Sequence, residues 1–242
     1  MNDTASGRPP RRRLIVGVIG VLVLVAIVLA VGIGLGRDGS GGASAPSAPA
    51  SPSSAPRTIP VGQTSVCGLP GFDRPEATLA SAPATTWTTV GTMSAPSAAQ
   101  TGPGTTSSDG LRSCYAHTVA GALFAVANIW AMGTDPRLNK PLLEQQTAAG
   151  TGRDAALKAN IPTSNTGLRA QIAGFKVTSY SGTTATVDLA FHLNTGELVS
   201  LPAPLAWDGR DWKVQLADDG SAVFGASSLN SLAGYIPWAG EE

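Results

Sequence analysis

Residues 170–216 read AQIAGFKVTSYSGTTATVDLAFHLNTGELVSLPAPLAWDGRDWKVQL, and their period of two decides the fold. Ala173, Phe175 and Val177 alternate with polar neighbours, Ser181-Gly182 reads as a turn, and Val187, Leu189, Phe191 and Leu193 form an inward set on the returning strand. After Thr195-Gly196 the alternation resumes through Val199, Leu201, Ala203, Leu205 and Trp207. Asp208-Gly209-Arg210 then turns the chain into a strand from Asp211 to Leu216. The pattern predicts a meander of four antiparallel strands. Pro202 and Pro204 cannot donate to a ladder, which puts their strand at an edge or a bulge. The segment Ser227 to Trp238 reads as a short helix or coil whose Leu232, Tyr235, Ile236 and Trp238 pack back on the sheet.

Upstream the period changes to that of a helix. Ala116, Val119, Ala120, Leu123, Val126, Ala127 and Trp130 recur at helical spacing between Leu111 and Met132, with Thr118 as a start cap and Gly133 with Asp135-Pro136 as a stop. A helix apolar nearly all round must be covered on most sides, so it is expected at the centre of the domain. Two shorter helices are expected after it, one opened by Pro141, the other over Asp154 to Asn160 beyond Gly150 and Gly152. Cys67 to Gly110 is broken by Gly68, Pro70, Gly71 and Pro75, and Trp87 to Val90 with Met93 reads as a single strand.

The N-terminal third has a different character. Leu14 to Leu35 holds only aliphatic residues, alanine and glycine, and as a helix it measures roughly 33 Å, against a hydrocarbon core of about 30 Å. It reads as a transmembrane helix. Arg8, Arg11, Arg12 and Arg13 crowd its N-terminal side, so residues 1–13 are expected as a cytoplasmic tail. A cleaved secretory signal is the competing reading, but its apolar core would span only about 7 to 15 residues. Residues 36–66 are rich in Gly, Ser, Ala and Pro and are expected to form a disordered, partly polyproline-like tether, leaving residues 67–242 as one extracytoplasmic domain. The localisation that follows is the cell membrane, single-pass, with the C-terminal domain outside.

Sixteen Lys and Arg balance 16 Asp and Glu, and charged residues make up 13% of the chain, so no basic field remains to attract nucleic acid. Cys67 and Cys114 are the only cysteines and both fall on the exported side, where they are expected to form a disulfide. Two thiols far apart with only two histidines do not make a metal site. No Gly-x-Ser-x-Gly, phosphate-cradling glycine loop or calcium loop is present. Asp188 and His192 share a strand face but lie roughly 13 Å apart along it, on the side expected to be solvated. Asp208, Asp211, Asp218 and Asp219 read as turn residues, and the five tryptophans as core. Catalytic, metal and cofactor-binding residues are therefore expected to be none.

Helices followed by a curled meander that closes on WDGRDWKV at 207–214 resemble the nuclear-transport-factor-2-like α+β cone. With the single span and Ala/Pro/Ser tether in front, the chain resembles actinobacterial single-pass proteins of conjugative elements, similar in turn to the bitopic assembly-factor subunit of type IV secretion systems. The run CYAHTVAGALFAVAN at 114–128 is similar to the alanine-rich helix opening of that group. The resemblance implies a structural or assembly protein, not an enzyme, with the bilayer and other membrane or secretion-complex proteins as partners, self-association included. The alternative is an anchored small-ligand binder or enzyme using the interior pocket of the cone, with Tyr115, His117 and Asp211 as its residues to test.

Overall fold

The computed structural model describes residues 65–159 and 168–240. The segments expected as a cytoplasmic tail, a transmembrane helix at 14–35 and a tether lie, up to residue 64, outside the described residues. Among the described residues no helix is long and apolar enough to cross a membrane.

The described part is α+β. Strand β1 (Thr86–Val90) and strand β2 (Met93–Ser97) form a hairpin, not the single strand expected there, because Gly91 takes a positive φ of 58° and reverses the chain in two residues. A two-stranded ladder of β3 (Thr105–Thr106) and β4 (Arg112–Ser113) follows, then helix α1 (Val119–Gly133). The helix starts where Thr118 caps it, as expected, by accepting from the Gly121 N–H at 3.0 Å, while residues 112–113 ahead of it are strand and Cys114 has φ 65°. Asp73 Oδ2 accepts the Val119 N–H at 2.8 Å, filling a second orphan position of the first turn. Every residue of α1 except Ala120 is buried, so its expected central place is observed.

Helices α2 (Asn139–Gln146) and α3 (Thr151–Ala159) follow a one-turn 3-10 segment. Gly152 does not interrupt α3. It lies within the helix and lets it press on the 217–220 turn, where a Cβ would collide with the Ala217 carbonyl oxygen.

The remaining strands are β5 (Ala170–Tyr180), β6 (Thr184–Leu193), β7 (Leu198–Trp207), β8 (Trp212–Val214), β9 (Ser227–Ser228) and β10 (Ile236–Pro237). They form one antiparallel six-stranded sheet in the order β10-β5-β6-β7-β8, with β9 also on β7. The four-strand meander is present as expected. The C-terminal stretch contributes two short strands instead of a helix, and Trp238 is buried behind them. The β5–β6 ladder departs from simple alternation twice, between Ile172 and Gly174 and between Val177 and Ser179; the first shift lets Ala170 and Ile172 share the inward face with Phe175 although the residue numbers are out of phase. On β7 the Pro204 carbonyl accepts from Gln215 N at 2.8 Å, so the missing N–H groups of Pro202 and Pro204 lie on the outer side, between the stretches paired with β8 and β9. The edge position expected of those prolines is met locally. Phe124 of α1 and Phe175, Leu189, Phe191, Leu201 and Trp212 of the sheet are fully buried and make up the core between helix and sheet.

Candidate functional site

The disulfide between Cys67 and Cys114 is formed. It ties the N-terminal stretch to the segment before α1, and the left-handed φ of Cys114 turns two successive amides toward one point. Asp211 fills that point. Its Oδ2 accepts from Cys114 N at 2.8 Å, while its Oδ1 accepts from Tyr115 N and from Trp212 N, both at 2.9 Å. Lys213 Nζ lies 3.5 Å from Oδ2, and the carboxylate is 4% exposed. Burial raises the Asp211 pKa, with Lys213 and the three amides opposing it. Asp211 was expected as a turn residue, and it is instead a buried clamp between β8 and the disulfide. The turn belongs to Asp208, whose Oδ1 accepts from the amides of Arg210 and Asp211.

His117 and Tyr115 lie in the same region without forming a reactive set with Asp211. The His117 ring stacks on Trp207 at 3.9 Å between centroids and meets Phe72 edge-on at 4.9 Å, and its Nε2 donates to the Gly182 carbonyl. Burial lowers its pKa, which favours the neutral ring, and the Gly182 carbonyl, which can only accept, sets the tautomer with the proton on Nε2. Burial, followed by the charge of Asp211, pushes the Tyr115 phenol well above its ordinary pKa, and its hydroxyl has no partner among the described residues. The hydrogen bond of Asp211 to Tyr115 is to its backbone N–H, and among the described residues no hydrogen bond joins Asp211 to His117. The geometry that proton transfer needs, side chains in hydrogen-bond reach of each other, is therefore missing between them.

Asp188 and His192 have opposite surroundings. His192 is exposed as expected. Asp188, expected on the same solvated face, is 5% exposed, because the C-terminal segment folds over it. The Tyr235 hydroxyl donates to its Oδ2 at 2.6 Å and Lys176 Nζ approaches that oxygen to 3.7 Å. Burial, and then the bond to Asp188, push the Tyr235 phenol up to about 12. Asn128 was not singled out in the sequence, although a lone amide in an apolar helix was its signal. It is fully buried, donates to the carbonyls of Pro96 and Phe124 at 2.9 Å, and accepts from Arg112 at 3.2 Å.

A cleft of about 610 Å³ lies between the α2–α3 connection and the β7–β8 hairpin. Its charged lining is Glu144, Arg153, Asp208, Arg210, Asp211 and Lys213, three of each sign, with Gln146 beside them, and Cys114 and Val66 border it. Ala206 and Lys213 are cross-strand partners pointing away from the core side, which Leu205 and Val214 occupy. The cleft is thus on the outer face of the sheet. Asp211 is already held by its amides, whereas Arg153 and Arg210 have no ion pair among the described residues. Gln146 is 1% exposed and its Oε1 has no partner there. Among the described residues no group of three His, Cys, Asp or Glu side chains could hold a metal ion.

Residues 44–237 match the family model described as Domain of unknown function (DUF8175). The chain belongs to this family. The DUF8175 match begins upstream of the first described residue and ends at β10, so it takes in the disulfide, the cleft and the whole sheet. No curated protein and no solved structure matches the chain.

Proposed function

We propose that this protein is a membrane-anchored, non-catalytic assembly protein whose extracytoplasmic domain, a nuclear-transport-factor-2-like cone in its finer fold, binds partner proteins within a conjugation or type IV secretion-like complex. One observation carries the reading. The side chains with chemical potential, Asp211, His117, Asp188 and Tyr115, are each buried in structural roles, while a cleft of about 610 Å³ carries two arginines that have no ion pair among the described residues. Such a cleft suits reversible recognition of an acidic or hydrogen-bonding protein surface. An anchor at 14–35 followed by a tether would hold the domain at high effective concentration near the bilayer, where contacts of modest strength suffice for assembly. The test is DNA-transfer frequency at equal expression. Deleting residues 67–242 while keeping the anchor abolishes transfer, and Asp188→Ala or His192→Ala, with the fold preserved, leaves it nearly intact. Normal transfer without the domain refutes the proposal.

A second reading is favoured by the size of the cleft, since about 610 Å³ lies within the roughly 300–1,000 Å³ of small-ligand sites. On that reading the anchored domain binds a small polar ligand in the outer cleft, not inside the cone. Ligand-induced stabilisation of the purified chain in a metabolite panel, lost in Arg153→Glu, separates the two.

A further inference from the structure

The edge of a sheet invites another chain, and several edges of this fold are closed against one. β5 carries two register shifts and is covered by β10 with its Pro237, and β7 presents Pro202 and Pro204. β2 spends its outward groups on the protein itself, the Ser94 N–H donating to Gln171 Oε1 and the Pro96 carbonyl accepting from Asn128, both at 2.9 Å. Strand β1 has none of these devices. Its five residues, TWTTV, contain no charge, proline, glycine or register shift, and Thr86, Thr88 and Thr89 are exposed. Val90 and Met93 close the two-residue hairpin, so Val90, Thr88 and Thr86 bond to β2 while Trp87 and Thr89 aim their N–H and C=O groups the other way. Among the described residues nothing outside the hairpin bonds to those outward groups. A β-branched, uncharged strand with a free row of donors and acceptors is a template for one more strand.

Arg112 of β4 decides what kind of strand fits. Its Nη2 donates to Thr88 Oγ1 at 2.7 Å and its Nη1 to Asn128 Oδ1 at 3.2 Å, both neutral acceptors, and among the described residues no carboxylate forms an ion pair with it. The side chain is half-buried, and a cation withdrawn from water is ordinarily paired. A strand added to β1 places the residue opposite Thr88 with its Cβ about 4.5–5.5 Å from that of Thr88, hence beside this guanidinium. A carboxylate there supplies the missing counter-ion and accepts from the planar fork. A second copy of β1, paired about a two-fold axis at Thr88, would instead bring another Arg112 to the same place, and like charges oppose it. We propose that β1 accepts an extended segment of a partner protein as an added strand, with an acidic residue opposite Thr88 held by Arg112. Neither β1 nor Arg112 lines the cleft, so this surface is separate from the one proposed above.

The probes are three fluorescently labelled peptides, Thr-Val-Thr-Glu-Thr-Val-Thr and its versions with Gln or Lys at the centre, titrated into the full chain in detergent and followed by anisotropy. The Glu peptide should bind at least about threefold more tightly than the Gln peptide, and the Lys peptide more weakly than either. Thr89→Pro removes an outward N–H and sets a ring on the edge while leaving the ladder to β2 in place, so it should weaken the Glu peptide at least about tenfold with Tm unchanged. Arg112→Gln should bring the Glu and Gln peptides to equal affinity. Arg112 also bonds Asn128, so if this variant fails to fold, the peptide series and Thr89→Pro still decide. Equal binding of the three peptides, binding that Thr89→Pro leaves unchanged, or no saturable binding up to about 1 mM peptide overturns the proposal. Self-association of the chain that Thr89→Pro abolishes places a second copy on the edge and overturns it as well.

Discussion

Replacing Asp211 with alanine removes one acceptor from three buried amides at once. Those of Cys114, Tyr115 and Trp212 lie 2.8 to 2.9 Å from the carboxylate, and Asp211 is only 4% exposed although it borders the cleft. Hydrogen bonds to a charged group contribute about 1.5–3 kcal/mol each, and part of their sum is offset because the variant no longer buries a carboxylate. Breaking such a buried arrangement costs about 3–5 kcal/mol. For a domain of this size about 4 kcal/mol lowers Tm by roughly 8–16 °C. The assay is tryptophan-fluorescence melting of the full chain in detergent with the disulfide intact. Lys213→Met, which leaves the three amides satisfied, should cost clearly less. A loss under about 1 kcal/mol for Asp211→Ala would refute the clamp. The pH dependence carries a sign as well. Burial raises the folded carboxyl above its unfolded value, so the contribution of this group is fully present below the unfolded pKa and is lost as pH rises through the folded one. Relative to Asp211→Asn, which cannot titrate, wild type should therefore lose stability as pH rises through that window.

Cys67→Ser/Cys114→Ser opens a loop with a sequence separation of 47 and should lower stability by roughly 4 kcal/mol in the chain-entropy model, read as a fall in Tm that reductant reproduces in wild type. Asn128→Leu leaves the Pro96 carbonyl and Arg112 without their partner inside the core and should cost about 2–4 kcal/mol in urea unfolding, whereas an exposed substitution such as His192→Ala stays within about 0.5 kcal/mol. The Tyr235 phenol, raised to about 12, should remain protonated in an ultraviolet titration up to pH about 11, and Tyr235→Phe should remove that late step while lowering stability by about 1–2 kcal/mol through the lost bond to Asp188.

Period carried most of the fold. The meander, the buried helix and its Thr118 cap were readable because alternation and helical spacing persist over many residues, and the disulfide because two cysteines leave one pairing. Features set by contacts distant in sequence were not. Asp188 alternates correctly for a solvated face, and only the return of Tyr235 from the C-terminal strand covers it. The bulge at Ile172–Gly174 put Ala173 in apparent phase with Phe175, since an inserted residue leaves no mark on composition. Nothing in Leu111 to His117 announces the turn ahead of the Thr118 cap, because Asp211, nearly a hundred positions on, is what holds the Cys114 and Tyr115 amides there. The cleft is assembled from the α2–α3 connection and the β7–β8 hairpin, each of which reads alone as an ordinary polar turn.

The central claim is that the outer cleft is a partner-binding surface, and one comparison reaches it most directly. DNA-transfer frequency is measured in cells carrying Arg153→Glu/Arg210→Glu, with Arg74→Glu as a charge reversal at an exposed residue outside the cleft lining, at equal expression and with the disulfide retained. The account predicts a fall of at least about tenfold for the cleft variant, equivalent to about 1.4 kcal/mol of lost association, and no change for Arg74→Glu. Equal transfer by wild type and the cleft variant would contradict it.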